Sequence, residues 1–582
     1  MSPEPPPDSG RNLIRLLRAL SVLLAMALSW LARYAFDPDG VAYADVARAW
    51  LRGDWHNALN TYWSPLYSWL LAIGFGILHP PIAWETWIPH AIVFLGFLAS
   101  LASAEWMLRE WERWQGPPAH RTLVTISFFS LFLWATLRLT GMEFTSADIF
   151  LVAVWCMTAA LLIRIRSGIG GTRDAVWFGV ILAFGFFTKG GFLSAIPMFL
   201  AALVGITGLR DRRPYLAAAA TLCTLLPFGA AMSLAHGRLV LSDAAWLNYS
   251  WLVTGAAVEG YHQSDAPPPT DIPHPVLRLL DKPRVLSYQD HVVGTIPIHS
   301  DAAWWSEGYP VEFDFDRQFA VLANEGSYTL GKALRSPALI FFLLCLISAG
   351  WHRTAVEFGR LWFLWIPALG ALLFYSSIHI LDRYISPPLV VLGFAMIAAG
   401  WKSQPSFGQA TKPAVTAITL VLSVVGLASV RYQLNAPLSV WEEMAGTRQP
   451  ADIGTVQVAS YLHSLSPLSG PRIGLIGSSI VVPWLELARG QMVTVVPGRL
   501  GNESWAPGRP STLSFGEVDG FWKSDAETQA KVFAAMRQAG ADWVVADSVP
   551  VWADVTGWDV AGPAIMIRPP GVQRPSVYVR HL

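Results

Sequence analysis

The chain has 582 residues, 53% of them hydrophobic and only 14% charged, with 41 Lys and Arg against 41 Asp and Glu. A soluble protein carries about 25% charge, so much of this chain faces lipid. Zero net charge removes the electrostatic case for nucleic acid or another anionic polymer. The three cysteines, Cys156, Cys223 and Cys345, lie apart inside apolar segments and give neither a disulfide nor a metal pattern.

The start, MSPEPPPDSG, is Pro-rich, and residues 1–11 read as a disordered cytoplasmic tail. Residues 11–31 run from a basic start into an apolar stretch without a small-x-small cleavage site, so they read as a retained first membrane helix. A span needs about 20 apolar residues. Eleven segments qualify: 13–33, 86–108, 121–138, 147–165, 174–188, 190–207, 215–236, 335–351, 359–378, 384–400 and 412–431. Arginine and lysine crowd alternate connections, as at Arg109, Arg113 and Arg121 or Arg210, Arg212 and Arg213. The other side holds single charges, Arg138, Lys189 and Arg383. The positive-inside bias then puts the N-terminus in the cytoplasm and segments 34–85, 237–334 and 432–582 outside.

The last segment changes character. GPRIGLIGSSIVVPWL and ADWVVADSVPVW read as buried strands, with AETQAKVFAAMRQAGA between them as a helix. The expectation is a membrane domain over 12–432 and an extracytoplasmic α/β domain over 433–582. GLIGSS is no dinucleotide fingerprint, so no cofactor is assigned to it.

Just after the first span comes FDPDGVAYADVARAWLRGDW, residues 36–55. On residue type alone Asp39 is a helix N-cap, and Pro38 and Gly40 are turn residues. The following run puts Ala42, Val46, Ala49 and Trp50 on one face and Asp45, Arg48 and Arg52 on another, the pattern of a helix along a membrane surface. A second such run occupies 63–78. Two surface helices roof a cavity, and a carboxylate at its rim can take a proton from a hydroxyl or bind a divalent metal. By the same residue-level reading Asp148 is a helix cap, Lys189 and Arg383 are snorkelling cations, and Asp382 pairs with Arg383. The long loop's His262, His274, His291 and His299 lack zinc spacing, and the loop is expected to cover the cavity.

DPDGVAYADVARAWLRGDW followed by YWSPLYSWLLA resembles the first external loop of the GT-C glycosyltransferases, polytopic enzymes that use lipid-phosphate-linked sugars. In the protein O-mannosyltransferases and lipid A aminoarabinose transferases an Asp-Glu pair precedes a Tyr and an Ala-Arg. Asp39, Tyr43, Ala47 and Arg48 match that spacing, with Gly40 in place of the Glu. The Asp39-Gly40 pair also resembles the Asp-Gly of the oligosaccharyltransferases. SADIFLVAVW resembles the start of the fourth helix in the mannosyl- and aminoarabinosyltransferases and puts their acid on Asp148. GFFTKGGFLSAIP resembles their Leu-Thr-Lys-Gly-Pro turn and puts their lysine on Lys189, with Gly191 for the proline. LDRYISPPLVVL resembles an Arg-Tyr-x-x-Pro element through Arg383, Tyr384 and Pro387. AWWSEGYPVEFD does not reproduce the oligosaccharyltransferase Trp-Trp-Asp-x-Gly.

The resemblance implies a GT-C-like fold with a polyprenyl-phosphate sugar as donor, at the outer face of a bacterial inner membrane. A lipid, glycan or protein hydroxyl would be the acceptor. Asp39 would be the base of an inverting transfer. Lys189 and Arg383 would hold the phosphate, with Asp37, Tyr43, Asp148 and Tyr384 around the substrates. Where a metal takes part, Mg2+ or Mn2+ would sit on Asp39 and Asp148. A lipid-sugar transporter is the rival reading. It is disfavoured because the ionisable groups gather at one surface and no internal repeat is visible. The missing Glu at Gly40 leaves an inactive GT-C-like scaffold as a further alternative.

Overall fold

The computed structural model describes residues 9–116, 121–256, 270–403, 428, 430–500, 513–566, 568 and 571–582. The expected tail falls largely, and segment 412–431 almost wholly, outside these residues. Ten of the eleven predicted segments coincide with helices, because long apolar runs satisfy their backbone internally. Among the described residues seven helices are long and apolar enough to cross a membrane, and up to nine if each of two bent pairs is one span. The chain is a multi-pass membrane protein.

The predicted segments 335–351 and 359–378 coincide with the second helix of each bent pair. Phe315–Leu334 and Pro337–Ile347 meet at 67°, and Trp351–Arg360 and Trp362–Ser376 at 83°. At the first bend the Ser336 side chain accepts from the Ala338 N–H and Pro337 opens a new helix, so the preceding one stops.

Asp148–Arg166 and Asp382–Ser403 are the most buried of the candidate spans. Both start at the same end of the bundle and carry Asp148 and Arg383 in their first turns. Pro38–Arg52 and Pro65–Leu78 pack beside that end.

The Pro38–Arg52 helix corrects one expectation. Its polar face is not open to water: of Asp45, Arg48 and Arg52 only Arg52 is exposed. Asp45 accepts from the Thr295 N–H at 2.8 Å, the Thr295 hydroxyl at 2.9 Å and the Ser300 hydroxyl at 2.8 Å. Arg48 donates to Glu85 and, at 2.6 Å, to Glu486 of the C-terminal region. Arg489 closes the set, 2.6 Å from Glu85. Two buried carboxylates each meet an arginine, the only state in which burying them is tolerable. The polar face is therefore covered by the long loop and the C-terminal region.

Among the described residues that region and the long loop together form a sheet of eight strands: β1 (Leu277–Asp281), β2 (Arg284–Ser287), β3 (Arg472–Ser478), β4 (Gln491–Leu500), β5 (Leu513–Ser514), β6 (Trp543–Ala546), β7 (Asp559–Pro563) and β8 (Ser576–His581). Their order is β1-β2-β4-β3-β6-β8-β7, with β5 on β4. β3 runs parallel to β4 and β6, and the Ala526–Gln538 helix stands before β6 as expected. The β1–β2 hairpin belongs to the long loop and docks antiparallel on β4, Leu286 opposite Val495. The sheet thus ties the loop that covers the site to the C-terminal region.

Candidate active site

A cavity of about 550 Å3 opens where these elements meet. Its wall includes Asp37, Asp39, Tyr43, Lys189, Arg383 and Tyr384, six of the seven residues singled out from the sequence. They come from three stretches far apart in the chain.

Asp37, not Asp39, occupies the N-cap of the Pro38–Arg52 helix, with Pro38 at the first helical position. Its side chain makes no cap bond. Oδ1 instead accepts from the Thr145 N–H at 2.8 Å and from the Thr145 hydroxyl. That spares Asp39, in the first turn, for the cavity. Arg383 Nη2 reaches Asp39 Oδ2 at 2.5 Å, while Nη1 stands 3.8 Å from Asp37 Oδ2.

Asp148 is the seventh residue, and it lies behind the wall, fully buried. It is not a cap; Ala147 holds that place. Its Oδ2 accepts from the Ser146 hydroxyl at 2.8 Å and faces Arg383 Nε at 3.3 Å, and its Oδ1 faces Lys189 Nζ at 3.0 Å. One carboxylate thus fixes both cations. Lys189 ends the Thr172–Thr188 helix and stands 4.6 Å from the Tyr384 ring centroid, within cation–π reach. Burial works against its charge, but Asp148 overrides this and holds the ammonium well above its ordinary pKa. Asp382 does not pair with Arg383. It bonds Lys332 and the Tyr328 hydroxyl, each at 2.6 Å.

Three carboxylates therefore surround two cations. Burial, then the nearby Asp39 charge, pushes the Asp37 carboxyl above its usual range. Asp39 and Asp148 are the carboxylates nearest the two cations, at 2.5 to 3.3 Å. A divalent metal does not fit Asp39 and Asp148 as they stand, because the Arg383 guanidinium lies between them. Among the described residues no three His, Cys, Asp or Glu side chains are grouped to hold a metal ion.

Gly40, where the resembling families carry Glu, has a local cause. A Cβ there would come within 1.9 Å of Thr145 Oγ1, the hydroxyl that holds Asp37. Gly40→Ala is expected to push Thr145 off Asp37 and destabilise the chain by about 1–3 kcal/mol, the usual scale of overpacking. Thermal unfolding in detergent checks this; an unshifted midpoint would show that Thr145 yields freely.

The structure adds wall residues that the sequence reading did not single out as site residues: His299, His379, Tyr62, Asn248 and Tyr375. His299 Nε2 stands 3.8 Å from Asp39 Oδ1. Burial pushes its imidazole down to about 4; Arg383 adds to this while Asp39 opposes it. His274 and His291 serve elsewhere, each stacked on the Trp304 ring with centroids 3.9 and 3.5 Å from it. His262 lies outside the described residues. No spacing rule could have paired His299 with Asp39 across 260 residues of chain.

The cavity thus lies at one end of a polytopic helical bundle, between the loop helices and the sheet-bearing C-terminal region. Comparison with family models and with curated proteins finds no match. Among solved structures the chain is similar to ArnT from Cupriavidus metallidurans in the apo state, with 13% identity, 98% of each chain covered and a TM-score of 0.50. The same protein bound to undecaprenyl phosphate gives 12% identity, 97% of each chain covered and a TM-score of 0.49. The likeness is one of fold.

Proposed function

We propose that this chain is an integral-membrane glycosyltransferase. It moves a sugar from a polyprenyl-phosphate carrier to a hydroxyl of a lipid, glycan or protein, with inversion, on the extracytoplasmic side of a bacterial inner membrane. The observation that carries this reading is Arg383, fixed between Asp39 and Asp148 at the cavity wall with Lys189 beside it.

A guanidinium fork and an ammonium on one wall suit a phosphate. The donor's phosphodiester is an anion, so on binding it competes with Asp39 for Arg383. Asp148, behind the wall, keeps both cations in place during the exchange. Asp39 is then released to draw the proton from the acceptor hydroxyl. The acceptor oxygen forms its bond to the anomeric carbon as the bond from that carbon to the phosphate oxygen breaks. The electron pair leaves on the phosphate, and Arg383 and Lys189 offset its added negative charge. Tyr43 and Tyr384 line the same space.

Lys189→Ala tests the donor side. One charge-assisted contact is worth about 1.5–3 kcal/mol, so the donor KM should rise about 10- to 100-fold with the acceptor KM unchanged. Transfer from a radiolabelled polyprenyl-phosphate sugar, titrated against this variant, gives both constants. An unmoved donor KM removes the phosphate role.

A further inference from the structure

We propose that His299 seats the acceptor's reacting oxygen, donating a hydrogen bond from Nε2 while Asp39 Oδ1 takes the proton. This rests on the glycosyl-transfer reading above and names the second group on its acceptor side.

The first support is spacing. Nε2 and Asp39 Oδ1 are 3.8 Å apart, too far for a hydrogen bond between them. An oxygen about 2.8 Å from each, an ordinary hydrogen-bond length, closes the triangle. A hydroxyl has one proton and two lone pairs. Donating to Asp39 and accepting from Nε2–H leaves it one lone pair for the anomeric carbon. In the transfer that pair forms the C–O bond, the pair of the breaking C–O bond departs on the phosphate, and the proton ends on Asp39. His299 keeps its hydrogen throughout and meets the negative charge that builds on the oxygen.

The second support is rigidity. Thr295 and Ser300 flank His299, and both bond Asp45, which lies on the helix that carries Asp39. The Asn60 side-chain amide donates to the Ser300 carbonyl at 2.8 Å. Trp63 Nε1 donates to the His299 carbonyl at 2.8 Å, and the two rings lie 4.9 Å apart. The imidazole is thus held to the helix of its partner carboxylate at several points. Such preorganisation is what makes a donor effective on developing charge. Its depressed basicity keeps the ring neutral in the working range, as a donor that retains its proton requires.

Three full-length chains in lipid test this: the parent, His299→Ala and His299→Gln. Glutamine keeps an N–H donor of similar reach but cannot titrate. The readout is transfer of label from a polyprenyl-phosphate sugar, with membrane extract titrated as acceptor and then the donor titrated. His299→Ala should lose about 10²–10³-fold in kcat/KM for the acceptor, the effect of deleting one donor to developing charge. Its donor KM should stay that of the parent. His299→Gln should recover to within about tenfold of the parent, since the donor is restored. Glutamine as poor as alanine, alanine as good as the parent, or a loss confined to the donor KM each overturns the seat. A parent chain that moves no sugar from any donor overturns the transferase reading and the seat with it.

Discussion

Asp39→Asn should leave a folded, inserted chain that transfers sugar about 10²–10⁴-fold more slowly than the parent, the usual cost of losing a general base. Asparagine has the same shape and keeps an oxygen to accept from Arg383, so the local packing survives. It loses the charge, and with it the capacity to hold a proton. The matching change at Asp37 separates the two acids. Asp37 spends Oδ1 on both donors of Thr145, and burial already favours its neutral form. Asp37→Asn should therefore cost far less in turnover than Asp39→Asn. Label transferred into a membrane extract, read beside the thermal midpoint of each variant, makes the comparison. Near-normal transfer by Asp39→Asn, or a larger loss at Asp37, would sink the assignment of Asp39 as base.

How far the site was legible depended on how local each signal was. Asp39, Lys189 and Arg383 each sit at the end of an apolar or amphipathic run, where ionisable residues are few and stand out. The partners could not be read the same way. Asp382 is next to Arg383 in sequence, yet the Lys332 ammonium and the Tyr328 hydroxyl take its carboxylate. Arg383 turns instead to Asp39, 344 positions away. Neighbours along a helix point different ways, and only the fold decides which acid faces which base. Arg48 shows the same limit. Its pattern marked a solvated face, but Glu85 and Glu486 arrive from elements distant in sequence and bury it.

The helices themselves were legible because bilayer thickness fixes their length and composition. The β1–β2 hairpin was not, because its pairing with β4 joins the long loop to a strand more than 200 residues later. Gly40 carries a different lesson. Its departure from the family Asp-Glu kept an inactive scaffold in view. Thr145 occupies the space a side chain would need, and the remaining charged residues stand assembled around the cavity. The bare backbone at position 40 is matched by its surroundings.

Arg383→Met should be the most damaging single change for stability as well as transfer. The guanidinium is buried and faces Asp39, Asp37 and Asp148 at 2.5, 3.8 and 3.3 Å. Methionine fills a comparable space without charge, so the carboxylates lose their shared partner and face one another. Removing one member of a buried ionic set costs about 3–5 kcal/mol, because the charges left behind are uncompensated. The sign of the pH dependence follows. Asp37, raised by burial and by the Asp39 charge, would lose the guanidinium that opposes that rise and be held further above its unfolded pKa value, so the folded chain would bind more protons than the unfolded one. Its stability then falls as pH rises and recovers as pH drops toward the ordinary carboxylate range. The gap in thermal midpoint between Arg383→Met and the parent should therefore be wide at pH 8 and narrow on the way to pH 5. Transfer should not return with it, because the phosphate has lost its guanidinium. Arg383→Lys, which keeps the charge but not the fork, should recover most of the stability and only part of the donor affinity. A gap that stays constant over that range, or a methionine variant as stable as the parent, would show that Arg383 is not what holds the three carboxylates together.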